Sequence, residues 1–145
     1  MRRILFASDF SPASRRAFAT ALRMARANRA KLSVLHVITP IAAIPTDPAA
    51  PVTLWQEIER STRAWATGQV KRLVARARKA GVRAEGLLRE GAPAETVVRT
   101  ARSTRADLIV IGTHGRTGLS RMFVGSVAAR VVATAPCPVV TVRGR

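Results

Sequence analysis

The chain has 145 residues, of which 48% are hydrophobic and 4% are aromatic. This length predicts one domain over residues 1–145 with a substantial core, and the scarcity of aromatic residues disfavours modules that stack on single-stranded nucleic acid. The net charge of +17 suggests a polyanionic partner, but the basic residues are spread along the chain without a dense block, which is typical of the solvated faces of amphipathic helices.

Apolar runs of strand length alternate with helical patterns, beginning with a strand over Ile4–Ser8. A helix is predicted next, because Ser11 and Pro12 form an N-cap and first-turn pair. It runs to about Ala27, and Asn28 is expected to end it in the left-handed conformation.

The second strand is predicted over Leu32–Ile38 and leads into a loop over Thr39–Val52 that contains four prolines. A long helix follows, Thr53–Ala80, which should stop at Gly81 because glycine tolerates the left-handed conformation. The third strand is predicted over Val82–Arg89.

A helix from Pro93 to about Ser103 precedes the fourth strand, Asp107–Ile111, and a last helix over Val127–Ala135 precedes the fifth, Pro138–Val142. Strands that alternate with helices predict an α/β fold with a single doubly wound, five-stranded parallel sheet and helices on both faces. In such sheets, ligands bind beyond the carboxyl ends of the strands, where the strand order reverses.

The glycine-rich segment between the fourth strand and the last helix is the strongest functional signal. Gly112, Gly115 and Gly118 follow the strand, and Gly125 with Ser126 precede the helix. This arrangement can hold a phosphate chain, because glycines allow close backbone approach and free N–H groups at a helix start point towards an anion. A flexible surface loop is the alternative. The segment lacks the Gly-Lys-Ser/Thr ending of a P-loop and does not fit the dinucleotide fingerprint.

Several polar side chains could complete such a site. Asp9, directly after the first strand, could accept hydrogen bonds from a ribose or an adenine edge, or it could cap the following helix. Ser126 could donate to a phosphate and could also be an N-cap. Arg116 and Arg121 could neutralise phosphate charge or point into water, and His114 is expected to be a hydrogen-bonding loop residue, since no nucleophile accompanies it. No catalytic residue is predicted.

Cys137 is the single cysteine, which excludes an internal disulfide and a cysteine-based metal site. It is predicted to be a buried structural thiol. The apolar run near the N-terminus is cut by Asp9, too early for a signal-peptide core, and no apolar segment has membrane-spanning length. The sequence therefore predicts a cytoplasmic protein.

Over essentially its full length the chain resembles the universal stress protein family. The matching segments include Ile-Leu-Phe-Ala-Ser-Asp-Phe-Ser near the start, Leu-His-Val-Ile in the second strand, and Asp-Leu-Ile-Val-Ile-Gly-Thr-His-Gly and Gly-Ser-Val-Ala around the glycine-rich segment. The resemblance implies a sheet in the order 3-2-1-4-5, with the first and fourth strands side by side.

Family members that bind ATP carry glycines in the pattern Gly-x2-Gly-x9-Gly-Ser/Thr, and this chain has that spacing complete. The resemblance implies that Asp9 and the backbone of Val37 hold the adenosine and that the glycines and Ser126 hold the phosphates, with Mg²⁺ arriving with the nucleotide rather than at a protein metal site. The nucleotide-binding residues expected on this basis are Ala7, Asp9, Val37, Gly112, Gly115, Arg116, Gly125, Ser126 and Val127.

The resemblance implies an ATP-binding regulator of stress adaptation. No residue is placed as a general base for an attacking water, so any hydrolysis is expected to be slow. Family members commonly dimerise by pairing their last strands, so a homodimer through Val139–Val142 is expected, which would satisfy an otherwise unpaired sheet edge. Two alternatives stay open: a basic nucleic-acid-binding protein, and an interaction scaffold of the same fold without ligand. Residue types do not separate ATP from ADP, AMP or a cyclic nucleotide.

Overall fold

The computed structural model describes residues 1–40, 52–113 and 125–144. Strands and helices alternate along them, within about two residues of the predicted bounds. In chain order they are β1 (Arg3–Ala7), α1 (Pro12–Ala27), β2 (Lys31–Ile38), α2 (Val52–Lys79), β3 (Ala84–Glu90), α3 (Pro93–Ser103), β4 (Leu108–Gly112), α4 (Ser126–Thr134) and β5 (Val139–Val142). The predicted loop over 39–52 lies mostly outside the described residues.

The strands form one parallel sheet in the order β3-β2-β1-β4-β5. Ala7, the last residue of β1, is in register with Leu35 of β2 on one side and with Ile111 of β4 on the other. The predicted α/β fold and strand order are confirmed, and β1 and β4 are neighbours where the order reverses.

Each face of the sheet has its own apolar core, because successive side chains of a strand point to opposite faces. Phe6 of β1 packs with Phe18 of α1 and Val74 of α2 on one face. Leu5 packs on the other face with residues of α3 and α4, Val131 among them. These side chains are at most 8% exposed, and burying each large one contributes about 1.5–3 kcal/mol.

The end of α1 differs from the prediction. Asn28 has φ −97°, and its side-chain amide donates to the Met24 carbonyl at 2.9 Å, so it still belongs to the last turn. Arg29 takes the left-handed conformation instead, with φ 52°, and the Ala30 N–H donates to the Ala25 carbonyl at 2.8 Å. The expectation that Asn28 is the left-handed residue is wrong by one position.

Two more helices end through the same hydrogen-bonding pattern. Gly81 after α2 has φ 78°, and Arg105 after α3 has φ 50°. In both cases the next residue donates its N–H to a carbonyl five residues earlier, as in a Schellman motif: Val82 to Ala77, and Ala106 to Ala101. A left-handed conformation costs an L-residue about 1–2 kcal/mol, whereas glycine adopts it freely. Two of the three positions nevertheless hold arginine.

Candidate functional site

The carboxyl ends of β1, β2 and β4 meet where the strand order reverses. Ala7 is buried at the end of β1, and Val37 lies half-buried two residues beyond its register partner, Leu35. Asp9 lies two residues beyond Ala7 and is also half-buried. Strand pairing therefore brings these three predicted residues to one edge of the sheet.

The turn after β1 is held by side chains that accept backbone hydrogen bonds. Asp9 Oδ1 accepts from the Ser11 N–H at 3.0 Å, and Ser11 Oγ accepts from the Ser14 N–H at 3.1 Å. Ser11 is the N-cap of α1, as predicted, and Asp9 orders the turn that precedes it. A carboxylate accepts several hydrogen bonds, so this contact is compatible with ligand binding by Asp9.

A buried serine stabilises the same turn. Ser8 Oγ lies 2.9 Å from Ser14 Oγ and accepts from the Phe10 N–H at 3.2 Å, while the Ser8 N–H donates to the Leu35 carbonyl at 2.8 Å. These contacts join β1, β2 and the first turn of α1. Nothing in the local sequence distinguishes Ser8 from a strand residue, so its role was not predicted.

An aromatic cluster follows Asp9 directly. Phe10 has φ 63°, its ring stacks on the His36 imidazole at 4.4 Å between centroids, and it meets Trp65 of α2 edge-on at 5.3 Å. His36 Nδ1 lies 2.7 Å from the Ser8 carbonyl, and because a carbonyl only accepts, Nδ1 carries the proton. Tertiary contacts thus hold Phe10 in a conformation that its residue type disfavours, and sequence patterns carry no signal for that.

On the β4 side, Gly112 allows a close approach between strand and helix. A Cβ at Gly112 would lie 3.1 Å from the Ala13 carbonyl carbon and 3.1 Å from the Ser14 nitrogen, both in the backbone of α1. The first turn of α1 therefore packs directly on the end of β4. A side chain here would require this backbone to shift by a few tenths of an ångström, which favours glycine independently of any ligand.

The other end of the glycine motif returns to the same strand end. The Gly125 N–H donates to the carbonyl of Thr113, and the Thr113 N–H donates to the Val142 carbonyl of β5 at 2.9 Å. Gly125 occupies the N-cap position of α4 and Ser126 is its first helical residue, so the alternative of Ser126 as N-cap is wrong. Ser126 and Val127 are both exposed.

The remaining predicted residues of the motif, Gly115 and Arg116, lie outside the described residues, as do His114, Gly118 and Arg121. In the described ranges, no group of three or more histidine, cysteine, aspartate or glutamate side chains could hold a metal ion. None of the described helices is long and apolar enough to cross a membrane.

Cys137 is half-buried beside the core of the α3/α4 face. Desolvation, with a smaller contribution from the Asp107 charge, raises the pKa of its thiol. A raised pKa disfavours the thiolate, which is the nucleophilic form. The thiol is thus less buried than predicted, but its chemistry agrees with a structural role.

Comparison with known proteins agrees with this architecture. The model of the universal stress protein family matches residues 1–143. A universal stress protein of Thermus aquaticus is 37% identical over 140 residues, covering 97% of both chains.

Solved structures agree as well. The universal stress protein UspA of Lactobacillus plantarum superposes with a TM-score of 0.86 at 27% identity, covering 98% of this chain and 97% of its own. A universal stress protein solved in complex with cAMP has a TM-score of 0.74 at 25% identity and covers 99% and 98%.

Proposed function

Since the chain belongs to the universal stress protein family, we propose that it binds an adenine nucleotide, ATP in the first instance, beyond the carboxyl ends of β1, β2 and β4. The observation that carries this proposal is the convergence of half-buried Asp9 with both described ends of the glycine motif, Gly112 and Gly125, on one sheet edge. A similar protein solved with cAMP supports the adenine nucleotide class.

Asp9, Ala7 and Val37 are proposed to hold the adenosine. The Asp9 carboxylate already accepts the Ser11 N–H and has capacity to accept from ribose hydroxyls. Val37 would contribute its backbone near the end of β2. Ala7 would leave space for the base, because its small side chain is buried at the end of β1.

The phosphates are proposed to lie over the start of α4. Gly125, Ser126 and Val127 precede or begin a nine-residue helix, whose first N–H groups lack intrahelical partners and favour negative charge. Gly112 would bound the site on the β4 side, and Gly115 and Arg116 are assigned by the family pattern alone. Mg²⁺ would be carried by the phosphates.

We propose a binding and regulatory role in the cytoplasm rather than catalysis. The Asp9 carboxylate already orders the turn before α1 by accepting the Ser11 N–H, which suits it to a positioning role. Nucleotide occupancy would then select a conformation or a partner in stress adaptation.

A homodimer through β5 is proposed on the basis of an edge strand and an adjacent apolar helix. β5 pairs with β4 alone in the described sheet, and α4 leaves Val132 52% exposed. A second copy would satisfy the strand edge and cover this side chain. Sedimentation should give a dimer that Val132→Lys shifts towards monomer, and a monomeric parent would contradict the proposal.

The nucleotide proposal is tested by calorimetric titration of ATP with a matched pair of variants. Asp9→Asn keeps an oxygen that can accept the Ser11 N–H but loses the charge, and Asp107→Asn makes the same change at the opposite end of the sheet. Asp9→Asn should weaken binding by about tenfold or more, and Asp107→Asn by less than about twofold. No saturable binding by the parent, or equal losses in the two variants, would reject the site.

A further inference from the structure

The amino ends of the strands gather arginines that are far apart in sequence. Each of them is exposed, and each stands at or within three residues before the first residue of a strand. We call them the amino-end cluster: Arg2, Arg3, Arg29, Arg83 and Arg105. The sequence shows no dense basic block, and the cluster exists only because four parallel strands begin at one edge.

Backbone hydrogen bonds fix the spacing of this edge. The Leu32 N–H donates to the Arg83 carbonyl at 2.8 Å, the Lys31 N–H to the Arg2 carbonyl at 2.8 Å, and the Asp107 N–H to the Arg3 carbonyl at 2.8 Å. Neighbouring strands lie about 4.8 Å apart, so the cluster extends over about 15 Å from β3 to β4. The charges are therefore spread along a surface rather than gathered at one point.

The acidic groups at this end are already engaged. Glu85 pairs with Lys31 Nζ at 2.5 Å and accepts from Ser33 Oγ at 2.8 Å. Asp107 Oδ2 accepts the backbone N–H groups of Arg2 and Arg3 at 2.5 and 2.9 Å.

The surrounding helix ends do not offset the positive charge. The last turns of α1, α2 and α3 add basic residues of their own: Arg26, Arg76, Arg78, Lys79 and Arg102. The negative ends of these helices contribute only about half an elementary charge each. A large positive surplus results at this edge.

The residue choice at the helix ends also points to a role for the side chains. Arg29 and Arg105 occupy left-handed positions for which glycine is favoured, and Gly81 fills the third equivalent position. Backbone geometry therefore does not explain the two arginines.

We propose that the amino-end cluster binds the sugar-phosphate backbone of double-stranded nucleic acid, without reading its sequence. Guanidinium groups match phosphate oxygens in bidentate geometry, and a duplex presents a charge every ~1.7 Å of its axis. This interface lies at the opposite end of the strands from the nucleotide site and does not depend on it.

The described side chains near the cluster favour a duplex over single strands and over membranes. Base stacking on single strands needs exposed aromatic rings, and the described ring contacts are either in the core, at Phe6 and Phe18, or at the far end, at Phe10 and Trp65. Met1 is next to Arg2 of the cluster in the chain, and the other large apolar residues that the described chain exposes lie on α2 and α4. Insertion into a membrane therefore has little support.

The test compares two triple variants of equal net charge by fluorescence anisotropy on a labelled duplex of about 20 base pairs, between 50 and 200 mM salt. The first variant combines Arg29→Gly, Arg83→Gln and Arg105→Gly. The second, as control, combines Arg15→Gln, Arg16→Gln and Arg60→Gln, which are exposed residues in the first halves of α1 and α2.

The first variant should bind at least about tenfold more weakly at 50 mM salt. Its slope of log affinity against log salt should be shallower by about 2–3, since each lost phosphate contact removes about 0.9. The control should change affinity less than about threefold. The first variant should also unfold at no lower a temperature than the parent, because glycine suits both left-handed positions, so weaker binding would not reflect unfolding.

Four results would overturn the proposal. Equal weakening by both variants would show diffuse attraction by total charge. Absence of duplex binding by the parent at 50 mM salt would leave the cluster without this partner, and tighter binding to phosphatidylserine vesicles than to the duplex would identify a membrane surface instead. Displacement of the duplex by saturating ATP would place the contact at the carboxyl end of the sheet.

Discussion

The two ends of the sheet are built on different principles. At the carboxyl end, small residues let backbone segments approach each other, as at Gly112 against Ala13 and at buried Ser8 against Ser14. At the amino end, long charged side chains stand on turns that would be more stable with glycine. The carboxyl end is thus specified by shape, and the amino end carries charge at some cost in stability.

Asp9 and Asp107 show the same difference between the two ends of the sheet in single residues. Asp9 follows β1 and is half-buried, with its carboxylate shaping a turn. Asp107 precedes β4 and is exposed, and the N–H groups of Arg2 and Arg3 lower the pKa of its carboxyl. The same side-chain type thus orders the turn at the candidate site, through Asp9, and holds the backbone of Arg2 and Arg3 at the other end of the sheet, through Asp107.

The largest stability effect is expected for Gly112→Val at the carboxyl end. Its side chain would meet the backbone of α1, so overpacking should destabilise the protein by about 3 kcal/mol and lower Tm by about 10 °C. Calorimetry measures this. Gly68→Ala is the control: its Cβ would meet only the flexible end of Arg72, at 4.0 Å, so a gain of about 0.5–1 kcal/mol is expected in helix α2. If Gly112→Val left the free energy of unfolding unchanged, the proposed difference between the two ends of the sheet would be wrong.

A smaller, oppositely signed effect is expected at the amino end. Arg29→Gly and Arg105→Gly should each stabilise the protein by about 0.5–1 kcal/mol, because they relieve left-handed strain. Gly81→Ala should destabilise it by about 1 kcal/mol for the same reason. Urea unfolding at fixed pH measures all three. Loss of stability in both arginine variants would show that these side chains hold the turns together.

The smallest effect on stability is expected for the exposed ion pair between Lys31 of β2 and Glu85 of β3. The hydrogen bond from Lys31, ahead of the contribution from Ser33, lowers the pKa of Glu85 below its ordinary 4.5. Because the folded pKa is the lower one, the stabilisation is complete above the unfolded value and disappears as pH falls through the folded value. Both side chains are more than a third exposed, so the contribution should be less than about 1 kcal/mol.

Glu85→Gln tests this pH dependence. As the pH falls below about 4.5, the stability of Glu85→Gln should decrease less steeply than that of the parent. Urea unfolding at several pH values below about 4.5 measures the difference. Parallel pH profiles for the two proteins would show that the pair contributes nothing to folding.

The sequence predicted the elements and the sheet well, because hydrophobic runs, Ser11-Pro12 and Gly81 are local signals. It failed where neighbours distant in the chain decide the outcome. Phe10 is left-handed because His36 and Trp65 hold its ring, and Gly112 is needed because α1 crosses β4 there.

The two wrong assignments and the missed surface have the same kind of cause. At Asn28 the side-chain amide donates back to the Met24 carbonyl, and at Ser126 the preceding Gly125 carbonyl already accepts from the Ala129 N–H, so each boundary lies one position from the predicted one. The amino-end cluster was not predicted, because its members approach each other only through strand order. The nucleotide-binding role of Asp9 and the glycine motif stays a prediction.

The contact between Phe10 and Trp65 gives the protein a built-in optical reporter. Trp65 is 43% exposed, and its indole meets a ring one residue from Asp9, so its emission should respond to occupancy of the adjacent site. Replacing Trp55 with phenylalanine would leave Trp65 as the sole indole fluorophore of the chain. Each event at the carboxyl end could then be timed in a stopped-flow instrument without attaching a dye.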